Sequence, residues 1–163
     1  EGEYKNGKRD GKGKAFENNK VLFEGKYQNG KMWNGFEYKY LEDGKIRRNE
    51  YFKGKIKFEG EYLNDKKNGN GKEYNTDGKF EGEFKNGKKW NGTGYNKNGE
   101  IDYDIFDGYG TLKEYYGDKL IYEGECKKGY RHGKGREYNY FTGKLIYNGV
   151  FLYGKKFVDT LDN

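Results

Sequence analysis

A chain of 163 residues holds one domain and hardly two, and its 33 Lys+Arg against 27 Asp+Glu leave a formal charge of +6. Leu, Ile, Val and Phe make up only about 17% of it, which would suggest disorder, yet aromatics reach 19% and 28 glycines recur without a single proline, so the composition excludes a thick aliphatic core and points to an aromatic one. One cysteine, no serine and no apolar run near ~20 residues exclude an internal disulfide framework, a serine nucleophile and a membrane-spanning helix.

In chain order the sequence is a repeat. It opens on Glu1 rather than Met, so a preceding leader or further domain is expected. Gly2-Glu3-Tyr4 then runs into Asn6-Gly7. Phe23 to Tyr38 is a first full copy of the unit, with Glu37 in place of the second glycine of its pair. Asn49 to Lys55 is an abbreviated copy, and Phe58 to Tyr74 is complete, with Gly60, Gly69 and Gly71. The cleanest copy is Phe80-Glu81-Gly82-Glu83-Phe84-Lys85-Asn86-Gly87-Lys88, followed by Trp90-Asn91-Gly92-Thr93-Gly94-Tyr95. The stretch 96–121 is irregular and keeps only the pair around Tyr109, Gly108 and Gly110. Tyr122 to Tyr138 is complete again, and Tyr147-Asn148-Gly149-Val150-Phe151 begins a decayed last copy. About eight units thus fill residues 1–157 as one array, leaving 158–163 as a tail or cap.

Each unit reads as a β-hairpin. Phe80, Gly82 and Phe84 share one face while Glu81, Glu83 and Lys85 take the other. Asn-Gly pairs such as Asn29-Gly30 and Asn86-Gly87 suit two-residue turns, and Asp43-Gly44, Asp77-Gly78, Asn98-Gly99 and Thr142-Gly143 link one unit to the next. The predicted fold is all-β: an elongated, twisted, single-layer antiparallel meander of stacked hairpins with no significant helix. Gly92 and Gly94 are expected to leave slots into which rings such as Phe80 and Phe84 lie flat. Tyr74 and Tyr95 fall one residue out of phase with the glycine pairs, which predicts a bulge or a change of face.

These residues resemble the MORN (membrane occupation and recognition nexus) repeat, whose pattern runs Y-x-G-x-W/Y-x-x-G-x-x-H-G-x-G. Tyr122-Glu123-Gly124-Glu125-Cys126 through Arg131-His132-Gly133-Lys134-Gly135 is the nearest match, apart from Cys126 at an aromatic position. The resemblance implies a non-enzymatic scaffold that meets other proteins, a second copy of itself, or phospholipid head groups. It also implies an intracellular setting, in the cytoplasm or at the periphery of membranes or the cytoskeleton, which the lone cysteine suits.

Candidate chemistry is sparse. No helix pattern follows the glycine pairs, so they do not form a dinucleotide cradle, and no cofactor is expected. Cys126 and His132 are too few for a zinc site unless two chains share one. His132 also has an ordinary place in the repeat, with Asp10, Asn34, Asn68 and Asn91 at the equivalent positions. The glutamates of the Glu-Gly-Glu segments form a ladder of like environments that singles out no acid–base pair, so no catalytic residue is named.

Basic residues cluster beside the turns: Lys31, Lys66 and Lys67, Lys88 and Lys89, Lys127 and Lys128, Lys155 and Lys156. A regular meander would align them as a lysine ridge on one edge, with the opposite turns including Asp43, Asp77, Asp104, Asp107 and Asp118. Those lysines, with Trp33 and Trp90, are the candidate partner or lipid contacts, and Phe151, Leu152 and Tyr153 the candidate self-association edge. Protein–protein scaffolding leads, and a peripheral adapter for anionic phospholipid is the alternative. Nucleic acid is disfavoured, because the aromatics serve the fold and glutamates crowd the other face.

Overall fold

The structure is a computed structural model describing residues 1–157; the tail or cap expected at 158–163 lies outside the described residues. The chain gathers into two compact units, Glu1–Tyr74 and Asn75 onward. The first holds β1 (Gly2–Lys5), β2 (Lys8–Glu17), β3 (Lys20–Gln28), β4 (Lys31–Tyr40), β5 (Ile46–Phe52), β6 (Lys55–Leu63) and β7 (Lys66–Asn75). The second holds β8 (Gly78–Lys85), β9 (Lys88–Asn96), β10 (Ile101–Phe106), β11 (Tyr109–Tyr116), β12 (Lys119–Lys127), β13 (Tyr130–Tyr138), β14 (Leu145–Leu152) and β15 (Lys155–Lys156). In each unit the strands pair antiparallel with their sequence neighbours in an open sheet, and no helix occurs among the described residues. The all-β hairpin meander read from the repeats is the fold.

Local chemistry makes the hairpins. At the β8–β9 turn Asn86 (φ 50°) and Gly87 (φ 84°) both sit in left-handed backbone, which asparagine tolerates and glycine adopts freely. Further along, Gly82 faces Gly92 in register, and a Cβ on Gly82 would lie 2.6 Å from the Cα of Gly92. That closeness lets a ring lie over the pair: a Cβ on Gly92 would lie 2.8 Å from Cζ of Phe80. The slot at Gly94 is filled by Tyr103 of β10, not by Phe84, which stands edge-on to Phe80 with centroids 5.5 Å apart. Such T-shaped pairs add roughly 0.5–1.5 kcal/mol beyond the area they bury. Phe58–Tyr62, Tyr122–Phe151 and Tyr147–Phe151 repeat the arrangement. A single layer therefore buries Phe23, Phe58, Phe80, Tyr122 and Phe151 almost completely.

Bulges shape each unit. The β13–β14 register slips between Glu137 and Tyr138, and the β9–β10 register slips opposite Tyr95. The out-of-phase third aromatic thus stands opposite a bulge whose extra residue, Ile146 or Asp102, belongs to the following strand, and simple alternation puts the ring on the face away from the glycine pair. Tyr138 donates its hydroxyl hydrogen to Glu123 (2.6 Å) and Tyr74 donates to Glu59 (2.5 Å).

Candidate interaction surface

Successive turns of a meander alternate between its two edges. In the first unit Asn6–Gly7, Asn29–Gly30 and Lys53–Gly54 share one edge, each separated from the next by two strands. Only β6 separates Lys53–Gly54 from Asn64–Asp65, so that turn lies on the opposite edge. Lys31 and Lys53 therefore stand across the sheet from Lys66 and Lys67. The abbreviated copy inserts one strand into a two-strand period, and the regularity that a single ridge requires is broken there. In the second unit Asn86–Gly87, Asp107–Gly108, Lys128–Gly129 and Tyr153–Gly154 do share an edge, which gathers Lys88, Lys127, Lys128 and Lys155. Asp107 belongs to this basic edge and not to the opposite turns where the sequence reading placed it.

The turn cations divide by face. Lys67 lies over the Phe58 ring at 4.3 Å and pairs with Glu73 at 3.0 Å. Lys89 is only 6% exposed; its Nζ donates to the Tyr103 hydroxyl (3.0 Å) and the Lys113 carbonyl (3.1 Å) and lies 5.0 Å from the Phe80 ring centre. Arg131 covers Tyr122 at 4.7 Å while pairing with Glu114 (2.7 Å) and Glu137 (3.0 Å). Lys156 lies near Tyr147 and pairs with Glu137 at 2.5 Å. These four groups roof the aromatic core.

The residue one place earlier faces outward: Lys66, Tyr130 and Lys155 are exposed, as are Lys31 and Lys128 elsewhere at the turns. Lys88 stacks on Tyr130 at 3.9 Å, Lys127 approaches Tyr153 at 5.8 Å, and Lys85, which the sequence reading passed over, stacks on Trp90 at 4.4 Å. Trp33 and Trp90 are half-buried, each against the glycine of the following turn on its edge, Gly54 and Gly108. Phe151 is 1% exposed between Tyr122 and Tyr147, so only Leu152 and Tyr153 of that trio present surface. Phe106, 81% exposed beside Asp107, was also missed in sequence. Its signal was positional: Phe106 and Tyr109 bracket their turn as Lys85 and Lys88 bracket theirs.

The His132 position has a structural duty. Asp10 Oδ2 accepts the Asn29 N–H (3.0 Å), Asn34 Oδ1 accepts the Lys53 N–H (2.7 Å) and Asn91 Oδ1 accepts the Asp107 N–H (2.6 Å). His132 Nδ1 accepts the Tyr153 N–H at a longer 3.4 Å. Each side chain thereby staples the next turn on its edge. Cys126 is buried and its Sγ contacts the Gly108 carbonyl at 3.6 Å, on the side of the preceding turn, so the two candidate ligands serve different turns. No group of three or more His, Cys, Asp or Glu side chains able to hold a metal occurs among the described residues. Burial, helped by the Glu114 charge, pushes the Cys126 thiol up to about 11, so it is a poor nucleophile at neutral pH.

Four stretches of the chain, residues 1–19, 58–79, 80–90 and 122–139, match the MORN repeat model. Comparison with curated proteins gives no match. The matched stretches include the paired glycines Gly2 and Gly13, Gly60 and Gly71, and Gly124 and Gly135, which face each other in register.

Proposed function

Because those stretches make this a MORN-repeat protein, we propose that it is a non-enzymatic scaffold whose turn edges hold partner proteins, a second copy of the chain among them. MORN repeats commonly serve as protein- or membrane-interaction scaffolds and are typically not enzymes. One observation supports the protein reading above all. Large side chains that the one-sided core leaves unused collect at the turns, with Phe106 81%, Phe141 68%, Tyr116 65% and Tyr153 51% exposed. Exposed rings at the turns supply apolar area that a protein partner can bury. Self-association through the last hairpin would rest on Leu152 and Tyr153.

A second reading, a peripheral adapter for anionic phospholipid, is favoured by the outward lysines Lys66, Lys88, Lys127, Lys128 and Lys155. No helix among the described residues is long and apolar enough to cross a membrane. Either function suits an intracellular protein at the cytoskeleton or a membrane periphery.

The two readings part in one experiment that combines sedimentation equilibrium over a range of protein concentrations with vesicle co-sedimentation at ~50 and ~150 mM salt. The scaffold reading expects concentration-dependent association, and vesicle binding that is absent or erased by the higher salt. Pelleting with anionic vesicles that survives ~150 mM salt, in a protein that stays monomeric, would replace the scaffold with the adapter.

A further inference from the structure

We infer that the turn edge of the second unit recognises a segment of a partner protein whose side chains run acidic, apolar, acidic. This rests on the scaffold reading and adds the surface and the chemistry of what it holds.

Charge comes first. Lys85, Lys88, Lys127, Lys128 and Lys155 stand on this edge, and none makes an ion pair among the described residues. One position inward the pattern reverses, since Arg131 and Lys156 are held by Glu114 and Glu137. Evolving a soluble surface needs no such split, because carboxylates could neutralise the outer row as they do the inner one. Three of the outer lysines lie instead against Trp90, Tyr130 and Tyr153, which keeps their charge unneutralised while fixing its position.

Order along the edge comes second. In strand order the Asp107–Gly108 turn, with Phe106 81% and Tyr109 44% exposed, comes between the Asn86–Gly87 and Lys128–Gly129 turns. The three turns form one surface. A Cβ on Gly108 would lie 2.9 Å from the Cα of Lys128, a Cβ on Gly129 would lie 2.8 Å from the Cβ of Lys88, and the Gly129 N–H donates to the Gly108 carbonyl at 2.9 Å. A complementary ligand lays an apolar side chain on Phe106 and reaches lysines on both sides with carboxylates.

Asp107 decides between a protein segment and a bilayer. It adjoins the most exposed ring, so inserting Phe106 into an anionic membrane would carry a carboxylate into a surface of like charge and low polarity. A discrete segment can turn a backbone N–H toward Asp107 while its acids meet the lysines.

The test uses the whole chain and a fluorescent peptide, Gly-Glu-Glu-Phe-Glu-Glu-Gly. Comparisons are its isomer with the phenylalanine moved to the end, its counterpart with lysine for glutamate, and vesicles of phosphatidylcholine with phosphatidylserine. The inference expects the first peptide to bind about tenfold more tightly than the isomer, and the lysine peptide not to bind. Phe106→Ser and the pair Lys127→Glu with Lys128→Glu should each weaken binding about tenfold or more, whereas Lys12→Glu, on a strand of the first unit, should not. Phe106, Lys128 and Lys12 are exposed and Lys127 is half-buried, and matching circular dichroism spectra would confirm that the variants fold. Failure of the peptide to bind, equal binding of the isomer, or indifference to the Phe106 and Lys127/Lys128 changes would overturn the inference. So would vesicle binding that the same changes abolish while the peptide is ignored. If the peptide tests fail while the parent chain self-associates, the edge assignment falls and the scaffold stands. If self-association is absent as well and vesicles bind, both fall.

Discussion

At the scale of single residues, the adjacent cations that open β7, β9 and β15 do opposite work. Lys66 is exposed while Lys67 lies over Phe58, and Lys88 lies on Tyr130 at the edge while Lys89 is buried against Phe80. Alternation along a strand separates the two faces, so a one-residue step changes a solvated charge into a roof for the core. Glu137 shows the electrostatic consequence. Burial pushes its carboxyl up, but Lys156 and Arg131 together outweigh that and leave it below the ordinary carboxylate range. A carboxyl depressed in the fold contributes stability above its unfolded value, near ~4.3, and loses it as pH falls through the lower folded value. Acidification from about pH 5 should therefore lower the urea midpoint, and Glu137→Gln should remove part of that acid dependence. At neutral pH the same substitution should cost a few tenths of a kcal/mol to about 1, as expected for a partly exposed pair. An acid limb identical in the variant and the parent would show that the Arg131–Glu137–Lys156 cluster does not hold β13 and β15.

At the scale of elements, the side-chain staple sets hairpin on hairpin. Asp10, Asn34, Asn91 and His132 differ in size and charge yet all offer an acceptor to a turn N–H. What the position needs is a lone pair, not an imidazole. Asn91→Leu should therefore cost about 0.5–1 kcal/mol by leaving the exposed Asp107 N–H to water, while His132→Asn should be near neutral. Urea midpoints of the two variants check this, and equal losses in both would remove the staple from the account. The equivalence of these positions was legible in the sequence, as were the hairpins, because Asn-Gly turns and paired glycines are local signals. The edge change at Asn64–Asp65 was not legible. It depends on counting one inserted strand, β5, whose residues look like a short copy of the repeat. Nor was the filling of the Gly94 slot by Tyr103, since that ring comes from the irregular stretch where no repeat register guides the eye. The candidate surface was half legible: lysines at turns could be named, but which of each pair faces outward follows from the bulges, such as that between Glu83 and Phe84.

At the scale of the whole molecule, stability has to be assembled from neighbour contacts. The dominant strand contacts within each unit join sequence neighbours, β2 with β3, β8 with β9, β11 with β12. Repeat architectures of this kind behave as sums of unit stabilities and nearest-neighbour interfaces, so cooperativity need not span the chain. The buried apolar side chains are divided unevenly. Phe23, Tyr27 and Phe58 serve the first unit, against Phe80, Phe84, Tyr103, Ile105, Leu112, Tyr122, Cys126 and Phe151 in the second. More buried ring area should make the second unit the harder to unfold. The chain carries its own reporters, because its two tryptophans are Trp33 in the first unit and Trp90 in the second. Trp33→Phe and Trp90→Phe each leave one reporter, and urea unfolding followed by fluorescence then reads each unit alone. The transition seen by Trp33 should come at the lower urea concentration, with circular dichroism spanning both. Coincident midpoints in the two variants and in circular dichroism would mean that the interfaces outweigh the difference in the cores, and that the chain unfolds as a single cooperative body.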